Sequence, residues 1–542
     1  MLFYWVNIAP SKSSSYQLQV KGLIYMNQAT LLPNKSSFFS IILTSFIFLF
    51  FLVSANILSE EIPVDTLPKS DIQFEQAEKV IVVEQQNNTL TPIETHIVEL
   101  IDTNHNKAIK LLETVVNINS GTMNFAGVKK VGSVFSKEFE KLGFKTSWID
   151  GKPFNRAGHL IAKYGVDEVK NKVSNVDPIS NKKSGKNNAN NKEKQSLNSV
   201  SEIEKINETN KKIKLLLIGH LDTVFTKKSP FQKFKIEETG LVAGPGITDM
   251  KGGDVVMLEA LRALKSSGAL NKMQVIVIMT GDEEKRGSPY ELATRELVDA
   301  GKWADIALGF EDGDGDPKTA VISRRGATGW QLNVTGRAAH SSQIFRDGYG
   351  FGAIFEAARI LDQFRMKLAA KPNLTFNPGL ILGGTDVTSE VAVSKGSAAG
   401  KANVIAQTTI VKGDIRALFP HQLVASEKAM RAIVANNLSE TSATLTFFTG
   451  YPPMAPSAGN KSLLEIYSQV SQDLGFGEVE AVDPKKAGAA DISFVANDVE
   501  MAIDGLGLMG AGGHTEREKA DIATLSSQSK RAALLMLRLS KK

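Results

Sequence analysis

A chain of 542 residues is long enough for two or three domains with sizeable cores. Its 42% apolar and 22% charged residues are those of a globular protein, and a formal net charge of +5 without a basic stripe interleaved with aromatics gives no reason to expect nucleic acid as a partner. Cysteine is absent, which excludes disulfides and thiolate metal ligands and leaves His, Asp and Glu as donors for any metal.

Near the N-terminus, Lys35 precedes an apolar run from Phe38 to Val53 that ends on Ser54 and Ala55. The run is short for a membrane span and closes on small residues of the kind a signal peptidase recognises. Residues 1–55 are therefore expected to be a secretory signal cleaved after Ala55, with the protein exported to the periplasm or secreted. The alternative is an uncleaved N-terminal segment that anchors the chain to a membrane. Residues before Met26 fit neither role, which points to Met26 as the start of translation. Residues 56–91 are acidic and polar and read as an extended spacer.

From residue 92 the pattern becomes periodic. Ile97, Leu100, Ile101, Ile109, Leu112 and Val116 recur at helical spacing. A second helix, "GVKKVGSVFSKEFEKLGF", leads into the strand-like "KTSWID" and "HLIAKYG". Residues 166–212 are dominated by Asn, Lys and Ser. They cannot bury enough apolar surface to offset their ordering entropy and are expected to be a disordered insertion, a basic interaction patch being the functional alternative. Then "KLLLIGHLDTVF", "MQVIVIMTGDEE" and "ADIALGFEDGD" read as buried strands, with helices "GDVVMLEALRALKSSG" and "ELATRELVDAG" between them. Strands that alternate with helices and run as solid apolar segments predict a mostly parallel sheet flanked by helices, an α/β fold. Residues 327–449 change to alternating strands such as "WQLNVTG" and "TTIVKGDIRAL" with two helices, predicting an inserted α+β domain. Residues 450–542 return to the first pattern, so the domain begun at 92–326 is closed by its own C-terminal segment.

Function in parallel sheets gathers at the carboxyl ends of strands. The three central strands end in His220 and Asp222, in Glu283 and Glu284, and in Glu311 and Asp312. The glycine-rich "GPGITDMKGGD" adds Asp249, and a second glycine-rich loop, "GAGGHTERE", adds His514. His220 and Asp222 are two apart and point the same way on an extended chain, so the carboxylate can fix the imidazole's orientation. Two histidines, a carboxylate able to bridge and two further carboxylates suffice for two divalent ions, each holding one imidazole and sharing Asp249. Donors of this kind suit zinc, with cobalt or manganese as substitutes.

"GHLDTVF", "GPGITDMKGG", "GDEE", "GFEDG", "GRAAHSS", "KANVIAQ" and "GGHTE", in this order, resemble the zinc-dependent peptidase family of glutamate carboxypeptidases, aminoacylases, acetylornithine deacetylases and succinyl-diaminopimelate desuccinylases. The resemblance runs from about Asn117 onward, apart from the Asn/Lys-rich insertion. It implies that His220 and Glu311 bind one zinc, that Glu284 and His514 bind the other, and that Asp249 bridges them. It makes Glu283 the general base and Asp222 the residue that orients His220, and it implies a cis peptide after Asp249. The insert becomes a dimerisation or lid domain of a homodimer, whose His340 reaches the partner's site to stabilise the oxyanion. Asn403 and Arg416 match positions that hold the substrate's carboxylate. Asp491 falls in a segment near the site and is assigned to structure, and Asp282 to fixing its loop.

Two departures stand out. The third strand reads "FEDGD" where the family commonly has Glu then Pro, leaving Asp312 as a competitor to the favoured Glu311. The base motif continues "KRGSP" in a loop that borders the substrate pocket. The substrate implied is a peptide or N-acyl amino acid with a free C-terminal carboxylate. An aminoacylase or N-deacetylase shares every ligand, and a non-catalytic metal-binding protein is the remote alternative.

Overall fold

The computed structural model describes residues 90–166, 212–390 and 395–541. The expected signal segment and nearly all of the spacer and Asn/Lys-rich insertion lie outside these residues. Among the described residues no helix is long and apolar enough to cross a membrane.

The chain opens with α1 (Pro92–Val116) and α2 (Phe125–Lys141), then β1 (Lys145–Asp150), β2 (Gly158–Tyr164) and β3 (Ile213–His220). Next come α3 (Lys251–Ser266), β4 (Met273–Thr280), α4 (Tyr290–Trp303) and β5 (Ile306–Gly309). Thr91 starts α1 by donating its backbone N–H and its hydroxyl to Glu94, at 2.9 and 2.7 Å, with Pro92 in the first turn where no N–H is needed.

One six-stranded sheet carries this layer, in the order β1, β2, β4, β3, β5 and a last strand, β10 (Met501–Ile503), contributed after the second domain. β3, β4, β5 and β10 are parallel; β1 and β2 are antiparallel, the part of the sheet that departs from a purely parallel pattern. The apolar runs are continuous because both faces are covered. Leu215 and Leu217 of β3 join one core with Val275 and Val277, while Leu216 and Ile218 join another with Ile276 and Ile278. Helices α1, α3 and α8 (Ala523–Leu539) bury their apolar stripes on the first side, and α4 covers the second. Truncating a core leucine such as Leu217 to alanine in packing of this kind costs about 2–5 kcal/mol.

Register matters most for function. His220 pairs with Thr280, and Ile218 with Gly309, so the three central strands end side by side. Their next residues, Asp222, Glu283, Glu284 and Glu311, are delivered to one edge. Gly253 in the first turn of α3 permits a close approach there, since a Cβ at this position would lie 1.8 Å from the Phe310 carbonyl oxygen.

The second domain is a four-stranded antiparallel sheet in the order β7 (Thr375–Gly384), β8 (Thr408–Ala417), β6 (Gly326–Gly336), β9 (Thr441–Phe447). Alternate residues of β6 are buried, as expected of a sheet with one covered face. Trp330, Leu332 and Val334 pack against Ile360 and Phe364 of α5 (Gly352–Leu368) and Met430 of α6 (Pro420–Val434). The chain then returns to the first layer through α7 (Ala458–Asp473), β10 and α8.

Candidate active site

At the carboxyl edge of the large sheet, His220 Nε2 lies 2.9 Å from Asp249 Oδ1 and 3.5 Å from Glu311 Oε1. His514 Nε2 lies 2.9 Å from the other Asp249 oxygen, Oδ2, and 3.0 Å from Glu284 Oε2. The five residues thus form two triads that share Asp249, His220–Asp249–Glu311 and Asp249–Glu284–His514, each with its donor atoms within 4.8 Å of one another. His220 is fully buried, whereas His514 is 60% exposed, so the second triad faces the solvent side.

The electrostatics describe a site made for cations. Burial raises the Glu311 carboxyl well above its usual range despite the attraction of His220, and burial raises Glu284 against its hydrogen bond to His514. Hydrogen bonds that its N–H donates to the Asp249 and Glu284 carboxylates hold the His514 imidazole up at about 11. Burial disfavours charge on His220, but Glu311, Asp222 and Asp249 outweigh it and raise that imidazole well above its usual range. Asp249 is held low by the two imidazoles in spite of its burial. Protons on the histidines thus do the neutralising that divalent ions would do. Glu284 Oε1 is buried without any hydrogen-bond partner, and a cation would satisfy it. The donor set, nitrogen and oxygen with no sulfur, fits zinc.

Supporting contacts fix these side chains. The wholly buried Asp222 accepts from the backbone N–H groups of Glu283 (3.1 Å) and Glu284 (3.2 Å) and from the Thr122 hydroxyl (2.6 Å). His220 Nδ1 is 3.1 Å from the Asp222 carbonyl oxygen and 3.5 Å from its Oδ1. Asp222 therefore holds the Glu283–Glu284 loop as well as the imidazole. The Asp249–Met250 peptide is cis, as the family resemblance implies, and His514 adopts a left-handed backbone (φ 62°) inside its glycine-rich loop. Asp312 stands outside both triads; burial, with Asp249 nearby, pushes its carboxyl up to about 7 against a hydrogen bond from the Thr248 side chain.

Two supports were not singled out by pattern alone. The buried Glu518 accepts from the backbone N–H groups of Gly246 (2.9 Å), Thr248 (2.9 Å) and Asp249 (3.2 Å), clamping the loop that carries the shared aspartate. The buried Arg286 donates to Asp282 (2.6 Å), to Asp491 and to the Tyr451 hydroxyl (2.9 Å), and Tyr451 donates to the Glu283 carbonyl oxygen (2.9 Å). Asp282 also accepts from Gly287 N at 2.9 Å, which makes it a loop-fixing residue. Burial pushes the Glu283 carboxyl up to about 8 against the pull of His220, giving it affinity for a proton at neutral pH.

The remaining predicted residues lie in the second domain. His340 and Asn403 adjoin one another: an antiparallel bridge links His340 with Val404, and Ser341 N donates to Asn403 O at 2.9 Å. His340 is exposed and its ring meets the Ser342 hydroxyl at 2.9 Å. Arg416, on β8, pairs with Asp414 at 3.0 Å, so its guanidinium is already engaged by a carboxylate. Among the described residues, none of the three makes a hydrogen bond or ion pair with the two triads.

Residues 216–538 match the family model described as peptidase family M20/M25/M40. Carboxypeptidase G2 of Pseudomonas sp. (strain RS-16) is 26% identical over 443 residues, covering 80% of this chain and 89% of that protein. A probable succinyl-diaminopimelate desuccinylase of Staphylococcus aureus is 30% identical over 182 residues, 31% of this chain and 43% of that protein, so this chain spans less than half of that relative. Among solved structures, a tripeptidase from Staphylococcus aureus superposes with a TM-score of 0.57 at 18% identity, covering 81% of this chain and 99% of the other. A dinuclear metal-binding peptidase of the M20 family from Bacillus subtilis superposes with a TM-score of 0.51 at 12% identity, covering 81% and 99%.

Proposed function

The chain belongs to peptidase family M20/M25/M40 and is an enzyme of the metallopeptidase and amidohydrolase class, and from that premise we propose that it is a di-zinc hydrolase that releases the C-terminal residue of a peptide or N-acyl amino acid. One observation carries this reading: the two oxygens of Asp249 each face a different imidazole, with Glu283 next in sequence to the ligand of one triad. His220, Asp249 and Glu311 would hold one zinc ion, and Asp249, Glu284 and His514 the other. When bound, the ions polarise the scissile carbonyl and acidify water.

The chain's own residues do the rest. Glu283 takes a proton from the attacking water and returns it to the leaving nitrogen, a role suited to a carboxyl that burial pushes up to about 8. Asp222 keeps Glu283 and Glu284 in register through their main-chain N–H groups. Adjacent residues diverge, so Glu284 faces a cation while Glu283 faces the water. Asn403 and Arg416 would hold the substrate's free carboxylate, Arg416 by exchanging Asp414 for it.

We also propose export through the N-terminal segment and a homodimer formed through the second domain, in which His340 reaches the neighbouring copy's site. The exposed Ile354, Phe355 and Ile381 on that domain support the dimer.

A panel of dipeptides and N-acyl amino acids, incubated with zinc-loaded protein and monitored for release of the C-terminal residue, tests the function. Release from dipeptides identifies a carboxypeptidase. Release from N-acyl amino acids alone identifies a deacylase, the reading that similarity to the desuccinylase favours. No release from any member by protein carrying two zinc ions per chain would overturn both.

A further inference from the structure

A cavity of about 580 Å³ opens beside the second triad, bounded by Gly121–Asn124, by Thr223–Val224 with Thr226–Lys228, and by Glu284 with Lys285. Its wall therefore includes Glu284 itself, and it falls within the range of about 300–1,000 Å³ typical of small-molecule sites. Two features of this wall are unusual for a surface hollow. Met123 and Val224 are large apolar side chains left 58% and 36% exposed there. Lys227, Lys228 and Lys285 surround them, and among the described residues none of the three ammonium groups has a carboxylate partner. The one carboxylate in the wall, Glu284, is tied to His514. The cavity thus combines an apolar floor with uncompensated positive charge, directly against the triad where an amide would be cleaved.

All of its lining comes from the first layer and none from the second domain. On the reading above, the second domain holds the leaving residue's carboxylate, so the opposite half of the substrate lies toward this cavity. We propose that the cavity receives the acyl half and selects one bearing a carboxylate at the end of an apolar stem: a dicarboxylic acyl group, or an acidic residue on the amino side of the scissile bond. The methylene stem lies on Met123 and Val224, and the carboxylate meets the lysines. Lys227, Lys228 and Lys285 are then specificity-determining residues. This assignment rests on the proposed hydrolase function for its placement, but its test does not depend on turnover.

N-glutaryl-L-alanine and N-pentanoyl-L-alanine share the leaving residue and the stem and differ in the terminal carboxylate. Their binding is measured by calorimetry on zinc-loaded Glu283→Gln protein, and kcat/KM is measured on the parent enzyme. Each exposed ammonium–carboxylate contact contributes at most about fivefold, so the glutaryl compound is expected to bind roughly tenfold more tightly. The preference should shrink at about 0.5 M salt, where exposed charges are screened. It should disappear in the Lys227→Gln/Lys228→Gln/Lys285→Gln variant. Equal affinity for the two compounds overturns the proposal whether or not either is hydrolysed. A preference that survives the triple substitution, or that is insensitive to salt, also overturns it. A binding preference with no alanine released, and nothing released from the wider panel, leaves the cavity assignment standing and removes the hydrolase reading.

Discussion

Replacing Arg286 with methionine tests whether the loop that carries Glu283 and Glu284 is held by a buried charge network. The guanidinium and its carboxylate partners, Asp282 and Asp491, are each no more than 4% exposed. Methionine keeps much of the apolar volume but leaves two carboxylates without their cation and the Tyr451 hydroxyl without one neighbour. Removing one partner of a buried ion pair typically costs about 3–5 kcal/mol. With an m-value of roughly 3 kcal/mol per molar urea, that lowers the unfolding midpoint by about 1 M or more. Burial already raises the Asp282 carboxyl against the pull of Arg286. Without Arg286 its folded-state pKa moves further above the unfolded value, so folding takes up a proton as the pH falls toward it. The deficit relative to the parent should therefore be larger at neutral pH than in mild acid. Equilibrium urea unfolding of metal-free protein, followed through the tryptophans, reads both effects. A cycle with Asp491→Asn should show coupling of about 1 kcal/mol or more between the two positions. A midpoint equal to the parent's at neutral pH, or strict additivity in the cycle, would refute the network.

Substituting Glu283 with Gln should lower kcat by about 10²–10⁴ while zinc content stays at two per chain; turnover near the parent rate would remove its assignment as general base. Glu518→Ala leaves three main-chain N–H groups of the Asp249 loop without their acceptor and should weaken zinc binding by about 10–100-fold in a chelator competition. Because the free protein holds protons on His220 and His514, zinc must displace them. Apparent affinity should then rise about tenfold per pH unit for each proton displaced, with proton release visible as a buffer-dependent binding enthalpy. An affinity independent of pH would contradict the charge state described for the triads.

How far the sequence could be read follows from the range of each interaction. His220, Glu283, Glu284 and Glu311 were legible because solid apolar strands ended in ligating side chains, and parallel pairing brings such ends together whatever the details of the loops; Asp249 was legible from the glycine-rich loop that opens α3. Local contrast also marked the second domain, whose strands alternate where those of the first do not. The supports of the site were harder to see. Glu518 reaches Gly246 across 272 positions, and Arg286 meets Asp491 across 205, separations over which no periodicity speaks. The odd continuation "KRGSP" signalled that the loop was unusual, but not that its arginine would turn inward. The three-residue β10 was too short to announce a strand, since it draws its register from β5 and not from any pattern of its own. Asp222 showed the limit of reasoning from one neighbour, because its carboxylate is shared with two amides in another loop.

The order in which the ligands occur along the chain also sets a timetable. A ribosome that has already made His220, Asp249, Glu284 and Glu311 has still to synthesise the whole second domain before it reaches His514, roughly 200 residues later, which at 5–20 residues per second takes about 10–40 s. Throughout that interval the nascent chain owns one complete triad and two-thirds of the other. β10, the edge strand beside β5, and Glu518, the clamp on the Asp249 loop, arrive in the same late segment as His514. On the proposed two-zinc reading, the second position would be completed, and hydrolysis could begin, only after the second domain has been synthesised, so a chain ending before His514 should release nothing from the substrate panel.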